Sequence, residues 1–363
     1  MTEREACVAL NLLPGLGPVK VRRLLERFGS ASGILSAGAS DLAGVPGVGP
    51  ALVKSIRDWK NLTDVGGELA HAKAAGARVL TLADGEYPSE LREIHDPPTV
   101  LYIRGQLTAA DARAIAVVGT RQPSFYGAET AKKLSYQLAY AGVTIVSGLA
   151  RGVDTAAHQA ALAAHGRTIA VIGSGLSRLY PPENAELADR IASQGAVISE
   201  FPMETGADRQ TFPMRNRIVS GMTFGILVVE AGTTSGALIT ANQAADQGRS
   251  IYAVPGRIDS PKSIGSNRLI QQGAKLVTCA QDVLDDFGLL FRDQPDREKR
   301  PEPAGLAENE AKVFAAIGDD EVSVDEVVGR SGLPTREVSS TLLALELKRL
   351  VKPLPGGRVV KTQ

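Results

Sequence analysis

The 363-residue sequence contains only two cysteines, Cys7 and Cys279, which lie far apart in the chain. They form neither metal-binding nor redox spacing, and so low a count is typical of a reducing compartment. Aromatic residues make up 4% of the chain, and the 40 basic residues equal the 40 acidic ones. This balance excludes a uniformly basic surface, so any site for a polyanion has to be a local cluster of positive charge.

Long apolar runs are also absent. No run reaches the roughly 18 residues that a transmembrane helix requires, and the N-terminal residues do not form a signal peptide. The sequence therefore predicts a soluble, cytoplasmic protein with no membrane partner. Hydrophobic residues nevertheless account for 44% of the chain, which is enough for a sizeable core. The length allows two or three domains.

Familiar nucleotide-binding fingerprints are missing too. The turn at 173–175 has Arg178 in place of the third glycine of the dinucleotide pattern, and no lysine follows the glycine-rich turn at 232–236, as a Walker A loop would require. No group of His, Cys and Asp has metal-ligand spacing. We therefore expect no cofactor and no metal, and an ATPase or a hydride-transfer enzyme is poorly supported.

An internal repeat opens the chain. Leu-Pro-Gly-Leu-Gly-Pro at 13–18 recurs as Val-Pro-Gly-Val-Gly-Pro at 45–50, and each copy precedes an amphipathic helical pattern. In the helix-hairpin-helix motif, such glycines permit a tight turn and point free amides at a phosphate. The same turns can also simply join the helices of a small α-domain. Secondary phosphate contacts are predicted at Gly15, Gly17, Gly47 and Gly49.

The domain organisation follows from the periodicity. Residues 1–76 predict a helical domain of helix-hairpin-helix or SAM-like type, and 77–291 an α/β domain. Apolar runs occur at 114–118, 143–146, 168–172, 196–198, 225–229 and 251–254; helical patterns lie at 127–141, 155–165, 184–194, 215–220 and 237–247. This alternation predicts a Rossmann-like, mostly parallel sheet covered on both faces. A charged, Pro-containing linker is predicted at 292–305, and a winged helix-turn-helix at 306–363.

Five segments rich in glycine or arginine follow apolar runs of the α/β domain. They lie at 119–121, 147–152, 173–175, 215–217 and 232–236. Ligands of a parallel sheet bind outside the carboxyl ends of its strands. Backbone amides in such turns bind phosphate, and arginine pairs with phosphate oxygens through two parallel hydrogen bonds. Several such segments in a row indicate a ligand with several phosphates, which we interpret as a nucleic-acid strand.

The densest candidate site is at 209–217, with Arg209, Phe212, Arg215, Asn216 and Arg217. Cations that hold phosphates beside an aromatic that stacks on a base suit a single strand. The alternative is that Phe212 packs in the core, and we expect at least one of Arg215 and Arg217 to be structural. The other candidate contacts are Gly119, Thr120, Arg121, Ser147, Gly148 and Arg151. A carboxylate-paired surface arginine is the alternative for Arg121.

Acidic residues near this edge support a rival hypothesis. Glu200 and Glu230 both end apolar strands, and two such carboxylates are the best case for an enzyme, for instance a nucleotide N-glycosidase. The alternative is that they orient the arginines. Asp154 is expected to cap a helix N-terminus, and His158 to be a buried, hydrogen-bonded residue.

Three further aromatics lie in these loops: Phe125, Tyr126 and Tyr180. Their placement slightly favours base stacking, although core burial is expected for each one singly. A protein-interaction scaffold, in which the turns only bind stray anions, is a third hypothesis.

Together these segments resemble the DNA-processing protein A family, also called Smf. The motifs that carry the resemblance are Val-Gly-Thr-Arg at 118–121, Ser-Gly-Leu-Ala-Arg-Gly-Val-Asp at 147–154, Ile-Ser-Glu at 198–200, Phe-Pro-Met-Arg-Asn-Arg-Ile at 212–218, Ser-Gly-Ala-Leu-Ile-Thr-Ala at 235–241 and Ala-Val-Pro-Gly at 253–256. The resemblance implies a non-enzymatic homodimer that binds single-stranded DNA without sequence preference. It further implies that the protein protects DNA during natural transformation and loads a RecA-type recombinase. Carried over by motif position, the contacts would be Arg121, Arg209, Phe212 and the Arg-Asn-Arg run.

The sequence departs from the family pattern at Thr234, where many members have a basic residue, so a contact from the fifth turn is less expected. The predicted winged helix carries 8 Lys/Arg and 9 Asp/Glu, a net charge of 8 − 9 = −1. We therefore expect it to contact protein or to tune binding. For the dimer interface we predict the apolar surface near Leu269, Ile270, Leu289 and Leu290.

Overall fold

The computed structural model describes residues 1–290, 306–317, 322–348, 350–354 and 357–361. They belong to two compact units, Met1–Arg292 and Asp293–Gln363. The predicted linker at 292–305 lies outside the described residues. None of the helices that the structure describes has the length and apolar character needed to cross a lipid bilayer.

Seven helices open the first unit. They are α1 (Glu3–Leu12), α2 (Pro18–Phe28), α3 (Ala31–Ser36), α4 (Ala39–Ala43), α5 (Pro50–Arg57), α6 (Trp59–Leu62) and α7 (Val65–Ala74). Apolar side chains from the amphipathic helices, Leu10, Leu24, Ile34 and Ile56 among them, are fully buried between them. Burial of this apolar surface stabilises the small domain.

The internal repeat gives two turns of the same geometry, as predicted. Gly15 and Gly47 have φ of +76° and +85°, a left-handed conformation that glycine adopts without steric cost. Gly17 and Gly49 then stand at the N-caps of α2 and α5, and a proline follows each of them. Proline is favoured at the first helical position because no hydrogen bond of its nitrogen is lost there.

A nine-stranded sheet forms the centre of the first unit. Its strands are β1 (Ala77–Thr81), β2 (Val100–Gly105), β3 (Ala114–Val118), β4 (Thr144–Ser147), β5 (Thr168–Val171), β6 (Ala196–Ser199), β7 (Gly225–Val228), β8 (Ser250–Ala253) and β9 (Lys275–Leu276). The spatial order is β1-β2-β6-β5-β4-β3-β7-β8-β9. Pairs β1–β2 and β2–β6 are antiparallel, and the others are parallel. All six strands predicted from the apolar runs are therefore present.

Helices cover both faces of this sheet. They are α8 (Ser89–Arg92), α9 (Phe125–Tyr140), α10 (Val153–Ala163), α11 (Ala185–Gln194), α12 (Thr211–Gly221), α13 (Gly236–Asp246), α14 (Ile264–Gln271) and α15 (Gln281–Leu290). Side chains of each strand alternate between two cores: Ile115 and Val117 pack with α9 and α10, whereas Ala116 and Val118 pack with α12 and α13. The chain order reverses between β3 and β7, which puts a crevice at their carboxyl ends.

The helical domain packs against the β2–β6 side of the sheet. Tyr102 of β2 belongs to the core of the helical domain. Two hydrogen bonds add to this contact: Asn11 Nδ2 donates to the Glu200 carbonyl oxygen (3.1 Å), and the Met203 amide donates to Glu68 Oε1 (2.8 Å). The segment that follows β6 is therefore held by the helical domain.

The second unit has helices α16 (Glu308–Ala316), α17 (Val324–Ser331) and α18 (Thr335–Leu347) and strands β10 (Val322–Ser323), β11 (Val351–Leu354) and β12 (Arg358–Lys361). The strands pair antiparallel in the order β10-β12-β11. Val313, Val327, Leu345 and Val359 form the centre of a separate core. This is the predicted winged helix-turn-helix; residues 355–356 of its predicted turn lie outside the described part.

The predicted dimer surface is wrong at Leu269, which is buried in the core under the sheet. Ile270 is only partly buried against the same core, so its place in a dimer surface stays a prediction. Nothing is described of the Leu289 and Leu290 side chains.

Candidate nucleic-acid interface

A cleft of about 530 Å³ lies at the carboxyl edge of the sheet, where β3, β4 and β7 end. Helices α12 and α13 close it on one side. Predicted site residues that line it are Gly119, Thr120, Arg121, Gly148, Arg209, Phe212, Arg215 and Asn216. Arg151 lines an adjoining recess with Arg121, Gly148, Phe212 and Arg215. The structure thus brings nine candidates from three separate segments to one place.

Arg121 and Phe212 form a cation–aromatic pair at the mouth of the cleft. The Arg121 guanidinium carbon lies 4.9 Å from the centre of the Phe212 ring. Arg121 is exposed, and in the described part of the chain it has no carboxylate partner, so the paired-arginine alternative does not hold. Arg209 is likewise exposed and forms no ion pair within the described residues. Both cations are available to an anionic ligand.

Tyr180 extends the aromatic surface. Its ring centre lies 6.0 Å from that of Phe212, and the Arg151 guanidinium carbon lies 6.0 Å from the Tyr180 ring centre. The predicted core burial is wrong for all three loop aromatics, because Phe125, Tyr126 and Tyr180 are 85%, 52% and 38% exposed. Phe125 and Tyr126 lie outside the cleft lining.

The Arg-Asn-Arg run lies within a helix, in agreement with the helical pattern predicted at 215–220, so it is not one of the phosphate-binding turns. Helix α12 begins at Thr211, four residues earlier than predicted. Residues three or four apart share a helix face, whereas residues two apart do not. Phe212, Arg215 and Asn216 consequently face the cleft, and Arg217 points away from it.

Arg217 is a structural residue, so its prediction as a DNA contact is wrong. It is 4% exposed. Its Nη2 donates to Glu200 Oε2 at 2.6 Å, and its Nε donates to Asp96 Oδ2 at 2.9 Å. The guanidinium fork is occupied by two carboxylates, which satisfies the expectation that one arginine of the run is structural.

Arg215 lies beneath the cleft floor. It is 4% exposed, and its Nη1 donates to the Val171 carbonyl oxygen at 2.6 Å. Burial lowers the pKa of Arg215 to about 10, while the nearby Asp154 carboxylate acts in the opposite direction. The side chain passes under Gly148, where any Cβ would overlap its guanidinium. Gly148 therefore makes room for a buried cation.

Two of the amides predicted to be free in the turn after β4 have an internal acceptor. Asp154 Oδ2 accepts from the amides of Gly148 (3.1 Å) and Ala150 (3.2 Å). Gly152, not Asp154, is the N-cap of α10, so that expectation is wrong as well. Ser147 is fully buried and donates to the Val117 carbonyl oxygen at 2.6 Å. Ser147 is thus not a ligand contact, whereas Gly148 lines the cleft.

The two strand-end carboxylates are both internal. Glu230 is 3% exposed and accepts from the Ser124 amide and hydroxyl, each at 2.8 Å. Its backbone oxygen accepts from the Thr120 amide at 2.8 Å, so Glu230 fixes the loop that carries Arg121. Burial raises the pKa of the Glu200 carboxyl, and the nearby Arg217 guanidinium acts in the opposite direction. Neither carboxylate lines the cleft.

His158 is a buried core residue, as predicted. Its Nδ1 lies 2.7 Å from Thr168 Oγ1. Burial lowers its pKa to about 3, and nearby Arg215 acts in the same direction. The ring is therefore neutral at physiological pH. Within the described residues no group of three or more His, Cys, Asp or Glu side chains could hold a metal ion.

The fifth turn contributes residues that the sequence-based site omitted. Gly232, Thr234, Ser235 and Gly236 line the cleft at the start of α13. The first amides of a helix have no intrahelical acceptor and favour anions. The glycine-rich pattern before a helical segment could have indicated these contacts from the sequence. They were not predicted because Thr234 stands where many members of the family have a basic residue.

The two helical-domain hairpins lie apart from this cleft. Gly15, Gly47 and Gly49 are exposed and Gly17 is half-buried. Lys20 Nζ donates to the Gly15 carbonyl oxygen and Arg23 Nη1 to that of Pro46, each at 3.1 Å. A basic side chain of α2 therefore lies against each hairpin.

The fold and the cleft define a class: a Rossmann-like protein with a cationic, aromatic-lined cleft at the carboxyl edge of its sheet. Family models agree in all three parts of the chain. "DNA recombination-mediator protein A" matches residues 78–288, "DprA winged helix domain" 297–357 and "SAM-like Helix-hairpin-helix tandem" 9–58. The chain belongs to the DNA-processing protein A (Smf) family.

Individual relatives match over long stretches. Protein Smf of Synechocystis sp. is 33% identical over 98% of both chains. The X-ray structure of DNA processing protein A from Streptococcus pneumoniae is 36% identical, with a TM-score of 0.70 over 79% of this chain and 98% of that one. A structure described for the single-stranded DNA binding mode of the Helicobacter pylori protein is 28% identical, with a TM-score of 0.54 over 61% of this chain and 99% of that one.

Proposed function

We propose that the cleft binds single-stranded DNA without sequence preference, protects it, and delivers it to a RecA-type recombinase in the cytoplasm. The observation that carries this proposal is the placement of Arg121 and Arg209, which form no ion pair within the described residues, in one cleft with the half-buried Phe212 ring. The Helicobacter pylori relative, whose structure is described for its single-stranded DNA binding mode, supports the choice of ligand.

The proposed binding has two physical terms. Arginines neutralise phosphates and release counterions, so the affinity falls steeply with salt. Aromatic rings stack on bases of any kind, because every base has a π-face. Neither term reads the edge of a base, which is why binding should be indifferent to sequence.

We propose a binding role without chemistry on the DNA. Glu200 holds Arg217, and Glu230 holds the loop at Ser124, so each carboxylate has an architectural task. The homodimer and the recombinase partner are proposed from family membership. Secondary DNA contacts are proposed at the amides of the two hairpins, through Gly15, Gly17, Gly47 and Gly49.

Arg121→Ala is expected to weaken binding to oligonucleotides of any sequence about equally, by roughly 10- to 100-fold, since it removes a charged contact to phosphate. The slope of log affinity against log salt should fall by about 1. Filter binding at several salt concentrations measures both quantities. Arg190→Ala on the exposed side of α11 is the matched control. Normal binding by the Arg121 variant would count against the site.

Filter binding with oligonucleotides of graded length and salt tests the function itself. An extended cleft predicts affinity that rises with length and drops with salt. Absence of binding would contradict the proposal. Turnover of a nucleotide that disappears in Glu230→Gln would instead favour the enzyme hypothesis.

The winged-helix unit is expected not to bind duplex DNA by itself, because residues 306–363 carry a net charge of −1. It has its own core and can be expressed separately. Titration with a duplex oligonucleotide at physiological salt should show no micromolar binding; such binding would refute the expectation that this unit contacts protein or tunes binding.

A further inference from the structure

The rings of Tyr180 and Phe212 lie next to each other in two different planes. Their ring centres are 6.0 Å apart and the ring planes are inclined by 53°. A base stacks with its plane parallel to the aromatic ring. Two rings so inclined cannot both lie against one base, so each ring needs a base of its own.

Each of these rings also has its own guanidinium. Contacts run from Arg121 to Phe212 (4.9 Å), from Phe212 to Tyr180 and from Tyr180 to Arg151 (6.0 Å). The row thus has a cation at either end and two aromatics between them. A strand whose bases occupy the rings would bring its phosphates within reach of both cations.

One acidic residue, Glu183, lies beside Arg151 at the Tyr180 end of this row. The Glu183 carboxylate accepts a hydrogen bond from Arg151 Nε, and the two side chains are 47% and 53% exposed. Exposed ion pairs contribute little to stability, because solvent screens them. A phosphate, which offers arginine the same geometry, can therefore replace Glu183 at small cost.

We propose, on the basis of the single-strand binding function above, that Tyr180 and Phe212 take two successive unpaired bases and that the Arg151–Glu183 pair is a clasp at the Tyr180 end. In the absence of DNA, Glu183 holds Arg151 over the Tyr180 ring. When a strand enters, Arg151 exchanges the Glu183 carboxylate for a backbone phosphate. A duplex is excluded because its paired bases cannot lie on the two rings.

Affinities of four variants for an oligothymidylate test this assignment. Tyr180→Ala should weaken binding about 5- to 150-fold, the range for loss of one stacking aromatic, and the conservative Tyr180→Phe should restore it. Arg151→Ala should weaken binding, whereas Glu183→Gln should tighten it by roughly 2- to 10-fold because a competing negative charge is gone. Melting temperatures within the wild-type range show that the variants are folded. Wild-type affinity in Tyr180→Ala, or weaker binding in Glu183→Gln, would overturn the proposal.

Photocrosslinking provides a readout that does not depend on a variant. An oligonucleotide carrying 5-iodouracil is irradiated in complex with the full-length protein, and the adducts are located by mass spectrometry. Adducts on both Tyr180 and Phe212 are expected; an adduct on Phe212 without one on Tyr180 would refute the two-base platform. If the wild-type protein binds DNA and requires Arg121 but shows no Tyr180 adduct, this inference fails and the binding function stands. If the wild-type protein does not bind, both fail.

Discussion

Arg217→Ala is expected to lower the free energy of unfolding by about 3–5 kcal/mol, because it leaves the buried Glu200 carboxylate without its partner. Arg217 holds two carboxylates at once, Glu200 at 2.6 Å and Asp96 at 2.9 Å. Glu200 is 8% exposed, so water cannot replace the lost contact. Urea denaturation followed by circular dichroism measures the loss.

The controls separate burial from charge. Arg257→Ala removes an ion pair with Asp259 in which the two side chains are 82% and 63% exposed, and it should leave stability near that of the wild type because solvent screens the pair. The double variant Arg217→Ala, Glu200→Gln should recover part of the loss, since an amide is less costly to bury than an unpaired carboxylate. A single variant as stable as the wild type would show that Arg217 is not a structural residue. The Arg217→Ala variant should bind single-stranded DNA with an affinity within about threefold of wild type, measured at a temperature at which the variant remains folded.

Gly148→Ala is expected to abolish most single-strand binding and to destabilise the protein as well. Its new Cβ would overlap the guanidinium of Arg215, which is fixed below by the Val171 carbonyl oxygen. The arginine must then leave its site or the turn must move, and overpacking of this kind costs about 1–3 kcal/mol. Displacement of the cleft floor should reduce the affinity more than tenfold, because the proposed contacts Arg121 and Phe212 line the same cleft.

Gly85→Ala is the matched substitution, because no atom lies within 4 Å of its Cβ position and its φ is ordinary. It should leave both affinity and stability near wild type. Thermal melts and filter binding on the same preparations give the two numbers. If Gly148→Ala binds single-stranded DNA normally, Arg215 does not shape the cleft.

Much of the fold could be predicted from the sequence because its signals are local. Each parallel strand of the centre is a short apolar run, and turns that contain glycine follow β3, β4, β5 and β7. The hairpin glycines, Gly15 and Gly47, occur where the backbone needs positive φ. Such signals depend on the residue and its neighbours alone.

The start of α12 could not be predicted in this way. The predicted helical pattern began at Arg215, yet Pro213 already stands in the first turn of α12. A first-turn residue has no intrahelical acceptor for its amide, so proline is tolerated there. Because of that shift, Phe212 joins Arg215 on the cleft face and Arg217 turns away.

Hydrogen bonds between residues that lie far apart in the chain could not be predicted from the sequence either. Asp154 uses the amides of the β4 turn, and Glu230 fixes the loop at Ser124, 106 positions away in the chain. Tyr180 likewise contacts Phe212 and Arg151, which come from other segments. Tertiary structure alone decides which cations remain free for a ligand.

The placement of single-stranded DNA in this cleft is tested most directly by the double variant Arg121→Ala, Arg209→Ala. Its affinity for an oligothymidylate is compared with those of the wild type and of Arg190→Ala at one salt concentration. Both substituted arginines are exposed and unpaired among the described residues, so the variant should fold normally. We predict that its dissociation constant rises by more than about 100-fold, since two charged phosphate contacts are lost. A dissociation constant within about twofold of the wild type would contradict the placement of single-stranded DNA in this cleft.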